Sequence, residues 1–326
     1  MLAPDFWKSE KGGTLAVLLS PLGWVYGLVT KARLKIIKAW VSPVPVICVG
    51  NLVTGGAGKT PVVLDLAKRL KAKGRNVHFL SRGYGGYERG PIRVDPKIHD
   101  FSRVGDEPLL LAAQAPTWVS KERRSGCIAA VNAGADIIIM DDGFQNPSVA
   151  KDYSILVIDG CYGFGNKKLL PAGPLRETIS GGLARAKTVV IIGEDRRNIV
   201  SLVSTYGHTP LHADLIPDPL PREIKGKSVV AFTGIGHPEK FFSTVSDLGY
   251  IMQESIPFSD HHSFNSADIH HLRDVAKKRK ARLVCTEKDA QRLPIAFLSE
   301  VTIVPVTLKW SDHVVIETLL DKINNV

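Results

Sequence analysis

A short apolar strand that runs straight into a glycine-rich loop constrains this chain more than any other feature. Pro45 to Val49 (PVICV) is β-prone, and GNLVTGGAGKTP follows immediately. Thr54, Gly55, Gly56, Ala57, Gly58, Lys59 and Thr60 read as a phosphate-binding loop entering a helix, because Val62 to Leu70 has amphipathic helical spacing. Each part has a chemical reason. Glycines let backbone N–H groups converge on phosphate oxygens, and the helix N-terminus adds partial positive charge. Lys59 can reach the terminal phosphates and Thr60 can hold Mg²⁺. The strict pattern has a glycine five residues before Gly58, where this chain has Val53. A glycine-rich turn without a ligand is the plain alternative. The strand–loop–helix context favours an enzyme of nucleoside triphosphates.

At 326 residues the chain has room for two domains and a sizeable core. A hydrophobic content of 44% with mean hydropathy of +0.03 argues against a polytopic membrane protein. The net charge of +10 suits nucleic acid, an anionic membrane surface or a phosphorylated substrate. The aromatic residues are scattered rather than interleaved with bases, so no nucleic-acid partner is expected. Cys48, Cys127, Cys161 and Cys285 lie far apart and read as reduced thiols. The pairs His261-His262 and His270-His271 lack cysteine or carboxylate partners at ligand spacing, so no structural metal is expected.

Thr14 to Thr30 is a run of 17 uncharged residues, followed by Lys31, Arg33, Lys35 and Lys38 among apolar neighbours. Residues 1–40 hold six bases and two acids. A spanning helix wants about 20 apolar residues, and Pro21 and Gly23 interrupt this run. No small-x-small cleavage site follows it. The reading is a helix, or kinked pair, lying in a membrane interface with Trp24, Tyr26 and Trp40 at headgroup depth. A buried core helix and a true span are the alternatives.

From residue 44 short apolar strands alternate with amphipathic helices, at 44–49, 76–80, 136–140, 154–158 and 188–192. That alternation predicts an α/β fold with a P-loop NTPase-like doubly wound sheet. The segment 207–226 is rich in proline and reads as a connector. A second, smaller α/β domain then begins with strand Ser228–Thr233 and a helix from Pro238. Strands Arg282–Cys285 and Val301–Val306 and a helix from Asp312 complete it. The expected division is a membrane-associated helical segment 1–40, a kinase domain 41–206, a linker 207–226 and a second domain 227–326. The last helix could pack back on the first domain.

Several constellations carry chemistry. Ile137 to Met140 is an apolar strand ending in Asp141-Asp142, where a carboxylate beside the phosphate loop would hold Mg²⁺. Paired aspartates also serve as plain turn residues. Asp106 of Gly105-Asp106-Glu107-Pro108 could cap the helical stretch 108–114 or act on a substrate. Asp260-His261-His262 could be a turn, or could help take a proton from a hydroxyl. Arg82 and Tyr84 in SRGYGG, Arg123 and Arg124, and Arg176-Glu177 after LPAGPL lie in or beside shaped loops that suit anion recognition.

The motifs GNLVTGGAGKTP, SRGYGG, GDEP, DDGFQ, LLPAGPLRE, FTGIGHPEKFF, FSDHHSF and TEKDAQRL run in order from about residue 15 to 310. In this set the chain resembles the tetraacyldisaccharide 4'-kinase family, the lipid A 4'-kinases of Gram-negative envelope synthesis. Val53 fits that family's own loop spacing. The resemblance implies transfer of the γ-phosphoryl group of Mg·ATP to the 4'-hydroxyl of a tetraacylated glucosamine disaccharide 1-phosphate. It implies an enzyme on the cytoplasmic face of the inner membrane, attached by its N-terminal helix; a monomer at an anionic membrane surface is expected. Asp106 resembles the catalytic base, and His261, by its place after Asp260, its partner; the doubled histidine leaves His262 open. Thr60, Asp141 and Asp142 resemble the magnesium positions. Arg176, and Arg123 or Arg124, resemble substrate- or phosphate-contacting positions, and Arg82, Tyr84 and Glu177 are further candidate substrate contacts.

Two other functions compete. A GTPase would carry [NT]KxD after a strand, but Thr286-Glu287-Lys288-Asp289 has its lysine one place late. An assembly ATPase would turn over ATP without a phosphorylated lipid.

Overall fold

The computed structural model describes residues 4–9, 12–218 and 226–324. Helices α1 (Asp5–Lys8), α2 (Gly13–Leu18) and α3 (Ser20–Ile36) open the chain. The uncharged run is thus a broken pair, with Pro21 in the first turn of α3, where a missing N–H costs nothing. Among the described residues no helix is long and apolar enough to cross a membrane.

The alternation then begins with β1 (Val46–Gly50), α4 (Lys59–Ala72), β2 (Val77–Ser81) and β3 (Ile92–Arg93). It continues through α5 (Phe101–Val104), α6 (Asp106–Ala112), β4 (Thr117–Val119), α7 (Arg123–Asn132) and β5 (Ile137–Asp141). Next come β6 (Tyr153–Asp159), α8 (Ile179–Leu183), β7 (Thr188–Ile192), α9 (Ile199–Ser204) and β8 (Leu211–Pro217). A second run holds β9 (Ser228–Thr233), α10 (Pro238–Asp247), β10 (Ile251–Pro257) and α11 (Ser266–Arg279). It ends with β11 (Arg282–Thr286), α12 (Glu287–Ala290), α13 (Ile295–Leu298) and β12 (Val301–Val304). Last are β13 (Val306–Trp310) and α14 (His313–Asn324).

Among the described residues the larger sheet has nine strands in the order β13-β8-β7-β6-β1-β5-β2-β4-β3. It is mixed: its body is parallel, while β3 and β13 run antiparallel at the two edges. Every residue of β1, β2 and β5 is buried, as expected of central strands covered on both faces. One face packs on α4 and α14 through Val62, Leu66, Leu70, Ile316 and Leu320. The other packs on α7, α8 and α9 through Cys127, Ala130, Leu183, Ile199 and Val203. The smaller sheet is parallel in the order β10-β9-β11-β12.

Two expectations are corrected. The segment 207–226 is not a connector throughout, because β8 lies inside it, pairing with β7 and β13; residues 219–225 lie outside the described residues. Val301–Val306 is not one strand: Pro305 divides it. A proline cannot donate to a ladder, so β12 ends in the smaller sheet and β13 crosses to the edge of the larger one. The chain therefore visits the larger sheet, then the smaller, then the larger again, and α14 packs against α4.

Candidate active site

The loops at the carboxyl ends of β1, β2 and β5, where open α/β sheets bind ligands, meet loops of the smaller sheet. The loop after β1 runs from that strand into α4. Gly55 and Gly58 adopt φ of +113° and +81°, conformations that L side chains rarely reach. Val53 has a role of its own. It is buried and forms an antiparallel bridge with Leu175, while Thr54 N–H donates to Pro174 O at 2.9 Å and Arg176 N–H to Leu52 O at 2.8 Å. The LPAGPLRE segment thus braces the loop from the side. Asn51 is fully buried, its Nδ2 donating to Gly55 O at 3.3 Å. Lys59 opens α4 and is only 8% exposed.

Asp141 and Asp142 end β5 in different states. Asp142 takes φ of +52° and accepts from Arg176 Nη1 at 2.8 and 3.0 Å, with Lys59 Nζ 3.8 Å away. Burial would raise its pKa, but the charges of Lys59 and Arg176 outweigh that and hold it at about 2. Asp141 is 1% exposed, and neither of its carboxylate oxygens has a hydrogen-bond partner. Burial, reinforced by the charges of Glu107 and Asp142, pushes it well above the usual carboxylate range. A buried carboxylate without a partner is the donor a hard cation needs. Mg²⁺ is held by one or two carboxylates together with phosphate oxygens and water, so this donor set, with Asp142 3.8 Å from Lys59 at the start of α4, fits it. Among the described residues no cluster of three acidic, histidine or cysteine side chains forms an all-protein metal cage.

The second cluster joins the two sheets. Gly105, at φ +88°, has no room for a side chain: a Cβ would lie 2.4 Å from Tyr84 O. That turn delivers Asp106 at the start of α6, 3% exposed. Opposite stands His261 in the loop after β10, itself at φ +57°. Its Nδ1 lies 3.0 and 3.1 Å from the Asp106 oxygens. His262 turns away and pairs with Asp268 at 2.9 Å, so the doubled histidine resolves to His261. Burial would raise the Asp106 pKa, but the His261 hydrogen bond and the Lys288 and Arg292 charges overcome it and hold the carboxyl at about 2.

The remaining predicted residues divide. Tyr84 is exposed, with its ring 4.9 Å from that of His261, and Arg82 is exposed on the same loop. Arg123 is buried, its Nη1 donating to Ser120 O at 2.6 Å while its Nε has no partner; Arg124 points to solvent. Glu177 is buried and accepts from Arg185 Nη2 at 2.7 Å and Gln145 Nε2 at 3.0 Å, so its carboxylate braces the loop instead of facing open space.

Lys288 and Arg292, absent from the sequence-based site, stand beside the dyad. Arg292 is 2% exposed, with Nε 3.3 Å from Asp106 Oδ2 and Nη2 2.5 Å from Asp289 Oδ1. Lys288 Nζ donates to Glu107 Oε1 at 3.0 Å. Their signal was present in TEKDAQRL, which carries part of the family resemblance and a misplaced guanine motif but assigns neither residue a role. Asp289, the residue that would read guanine, is fully buried and accepts from Thr233 Oγ1, Gly234 N, Thr286 Oγ1 and Arg292 Nη2. It has no capacity left for a base.

The tetraacyldisaccharide-1-P 4'-kinase family model matches residues 15–324. A tetraacyldisaccharide 4'-kinase of Paramagnetospirillum magneticum is 50% identical over 323 residues, covering 99% of each chain. One from Rhodospirillum centenum is 48% identical over 325 residues, covering 98% of this chain and 96% of its own. A crystal structure of "apo" form LpxK from Aquifex aeolicus in complex with ATP superposes with a TM-score of 0.74 at 26% identity, covering 95% of this chain and 99% of its own.

Proposed function

The chain belongs to the tetraacyldisaccharide-1-P 4'-kinase family and is a kinase of lipid A biosynthesis, and we propose that Lys59, Asp106, His261 and the aspartates ending β5 carry its chemistry. The γ-phosphoryl group of ATP passes to the 4'-hydroxyl of a tetraacylated glucosamine disaccharide 1-phosphate. The observation that carries the residue assignment is the 3.0 Å pairing of buried Asp106 with His261 across the two sheets.

Asp106 accepts the proton of the 4'-hydroxyl as the new O–P bond forms. A carboxylate held at about 2 is a weak base. It suffices, because phosphoryl transfer passes through a loose transition state in which the hydroxyl becomes acidic late. The surrounding cations keep Asp106 ionised and ready. Lys59 places its charge at the β- and γ-phosphates, while Arg176 neutralises Asp142 so that the two carboxylates do not both repel the nucleotide. Mg²⁺, held by Asp141, Thr60 and Asp142, would neutralise charge on the phosphate oxygens when bound. Arg82, Tyr84 and Arg123 are assigned to the anionic disaccharide.

α3 supplies the membrane contact. Leu22, Trp24, Val25, Leu28 and Val29 are exposed on it, a contiguous apolar surface that water alone does not explain. Lys31, Arg33, Lys35 and Lys38, also exposed, would meet anionic headgroups. The enzyme works as a monomer lying on the cytoplasmic leaflet of the inner membrane.

The test follows labelled phosphate from ATP to a lipid disaccharide acceptor with wild type and Asp106→Asn. The wild type is expected to give a labelled lipid. Asp106→Asn is expected to bind ATP within about twofold of wild type while kcat falls by about 10²–10⁴. Weakened ATP binding with kcat preserved would make Asp106 a nucleotide-positioning group instead.

A further inference from the structure

We propose that Asn166 is a positioning residue that locks the N-terminal segment onto the loop between β6 and α8, and through that loop sets the phosphate loop and Arg176 for the nucleotide. Its own contacts make the lock. Asn166 is buried, and its backbone N–H donates to Trp7 O at 2.9 Å. Its Nδ2 donates to Phe6 O at 3.1 Å and to Ala172 O at 2.9 Å, while Oδ1 accepts from Lys168 N at 3.1 Å. Both ends of one amide are thus engaged, and they join α1 to both sides of the loop. Trp7 adds a second tie, its Nε1 donating to Pro171 O at 3.1 Å.

From there the contacts run inward without a gap. Leu175 N–H donates to Lys168 O at 3.1 Å and Leu170 N–H to Leu175 O at 2.9 Å, so the two sides of the loop hold each other. The returning side then reaches the nucleotide loop: Leu175 bridges Val53, Pro174 O accepts from Thr54 N–H, and Arg176 pairs with Asp142. On the outer side α3 lies on the same loop, with Lys168 Nζ donating to Ser20 Oγ at 2.9 Å and Gly23 and Gly27 facing Leu169. The fit around the lock is close. A Cβ on Gly165 would lie 2.5 Å from Trp7 O, and one on Gly12 3.0 Å from Asn166 Nδ2.

The fold explains why this matters for the site. Between β6 and α8 the chain has no helix and no ladder beyond isolated bridges, so tertiary ties set its shape. Arg176 lies on that stretch, and its guanidinium is aimed only as well as the stretch is held. The N-terminal segment is therefore a support of the nucleotide site as well as a membrane contact. Linkage makes the coupling reciprocal: whatever factor the lock adds to ATP affinity, bound ATP adds to the lock. This rests on the loop after β1 holding ATP.

The experiment has two arms, both on the full chain with ATP and Mg²⁺ and no lipid acceptor. Titration calorimetry gives Kd for ATP in wild type, Asn166→Ala and Trp7→Phe. Asn166→Ala is expected to raise Kd by about 3–10-fold and Trp7→Phe by about 2–3-fold, the size of the hydrogen bonds removed. Co-sedimentation of both variants with anionic vesicles is expected to stay within about twofold of wild type. A purely structural role would lower the titrated stoichiometry and leave Kd alone, so an unchanged Kd in Asn166→Ala would overturn the proposal. Altered vesicle binding with Kd unchanged would also overturn it, making the lock part of the anchor only. The second arm is hydrogen exchange in wild type, where saturating ATP is expected to slow the Asn166 amide; exchange indifferent to ATP would overturn the proposal whether or not any variant folds. Lys59→Ala separates the two readings. ATP affinity unchanged in Lys59→Ala would remove the nucleotide from the loop after β1, whereas affinity lost in Lys59→Ala but kept in Asn166→Ala would sink the lock alone.

Discussion

Asp141 and Asp142 are chain neighbours whose carboxylates meet opposite surroundings. Arg176 and Lys59 neutralise one, and the other is buried with both oxygens unpartnered. A carboxyl buried without a partner, whether charged or made to keep its proton, destabilises the fold. Asp141→Asn is therefore expected to raise the melting temperature of the nucleotide-free enzyme, by about 1–2 °C per kcal/mol recovered for a chain of 326 residues, while labelled-phosphate transfer falls by about 10²–10³. Calorimetry without nucleotide checks the first half, and a lower melting temperature would contradict it. Asp106 behaves in the other sense. Its pKa falls from 3.8 to about 2 on folding, so its contribution is present above about pH 4 and is lost as pH falls through 2. Urea unfolding at stepped pH should show the stability gap between wild type and Asp106→Asn narrowing by about 2 kcal/mol across that window. A gap independent of pH would place the interactions of Asp106 elsewhere. The residues that could be read from sequence were those whose backbone chemistry demands one residue type, such as Gly58 before Lys59 and the aspartates ending an apolar strand. His261 and His262 share a chemistry, and only the left-handed turn at His261 decides which faces Asp106. Lys288 and Arg292 sit within a motif, but their role depends on α6 lying beside α12, a tertiary fact no local spacing contains.

At the level of elements, the strands that carry chemistry were visible because central parallel strands read as unbroken apolar runs. The two outermost strands on each side of the larger sheet were not. β8 alternates among prolines and turn residues, and β13 continues directly from β12 after Pro305. β3 and β4 are two and three residues long, too short for any periodicity. α3 turns its small residues inward and its large ones outward. Gly23 and Gly27 let it rest closely on Leu169, and its larger apolar side chains face outward. Trp24 and Leu28 are 70% and 68% exposed, so Trp24→Glu with Leu28→Glu should leave the melting temperature within about 1 °C. The same pair should sharply reduce co-sedimentation with anionic vesicles. Changing Lys31, Arg33, Lys35 and Lys38 to Gln should weaken vesicle binding by up to about 1 kcal/mol per residue, and less at high salt. Binding unchanged by both sets would remove α3 from the membrane contact.

On the scale of the whole molecule, the proposed chemistry lies where two sheets face each other. The larger sheet supplies the phosphate loop, Asp141, Asp142 and Asp106, and the smaller sheet supplies His261, Lys288 and Arg292. Other contacts join the same seam: Lys240 pairs with Asp159, the His237 ring lies 4.8 Å from that of Tyr162, and Gly236 packs closely against Gly56. The return of β13 and α14 to the larger sheet ties the second run of the chain to the first at its far end. The measurement that bears most directly on this arrangement is a double-mutant cycle on kcat, made with Asp106→Asn, His261→Ala and the pair, with ATP affinity measured for each. A dyad assembled across the seam is expected to give a double variant far less impaired than the product of the two single losses, with ATP affinity within about twofold throughout. Losses that multiply, accompanied by weakened ATP binding, would mean that the two residues act independently and that the seam is not the catalytic centre.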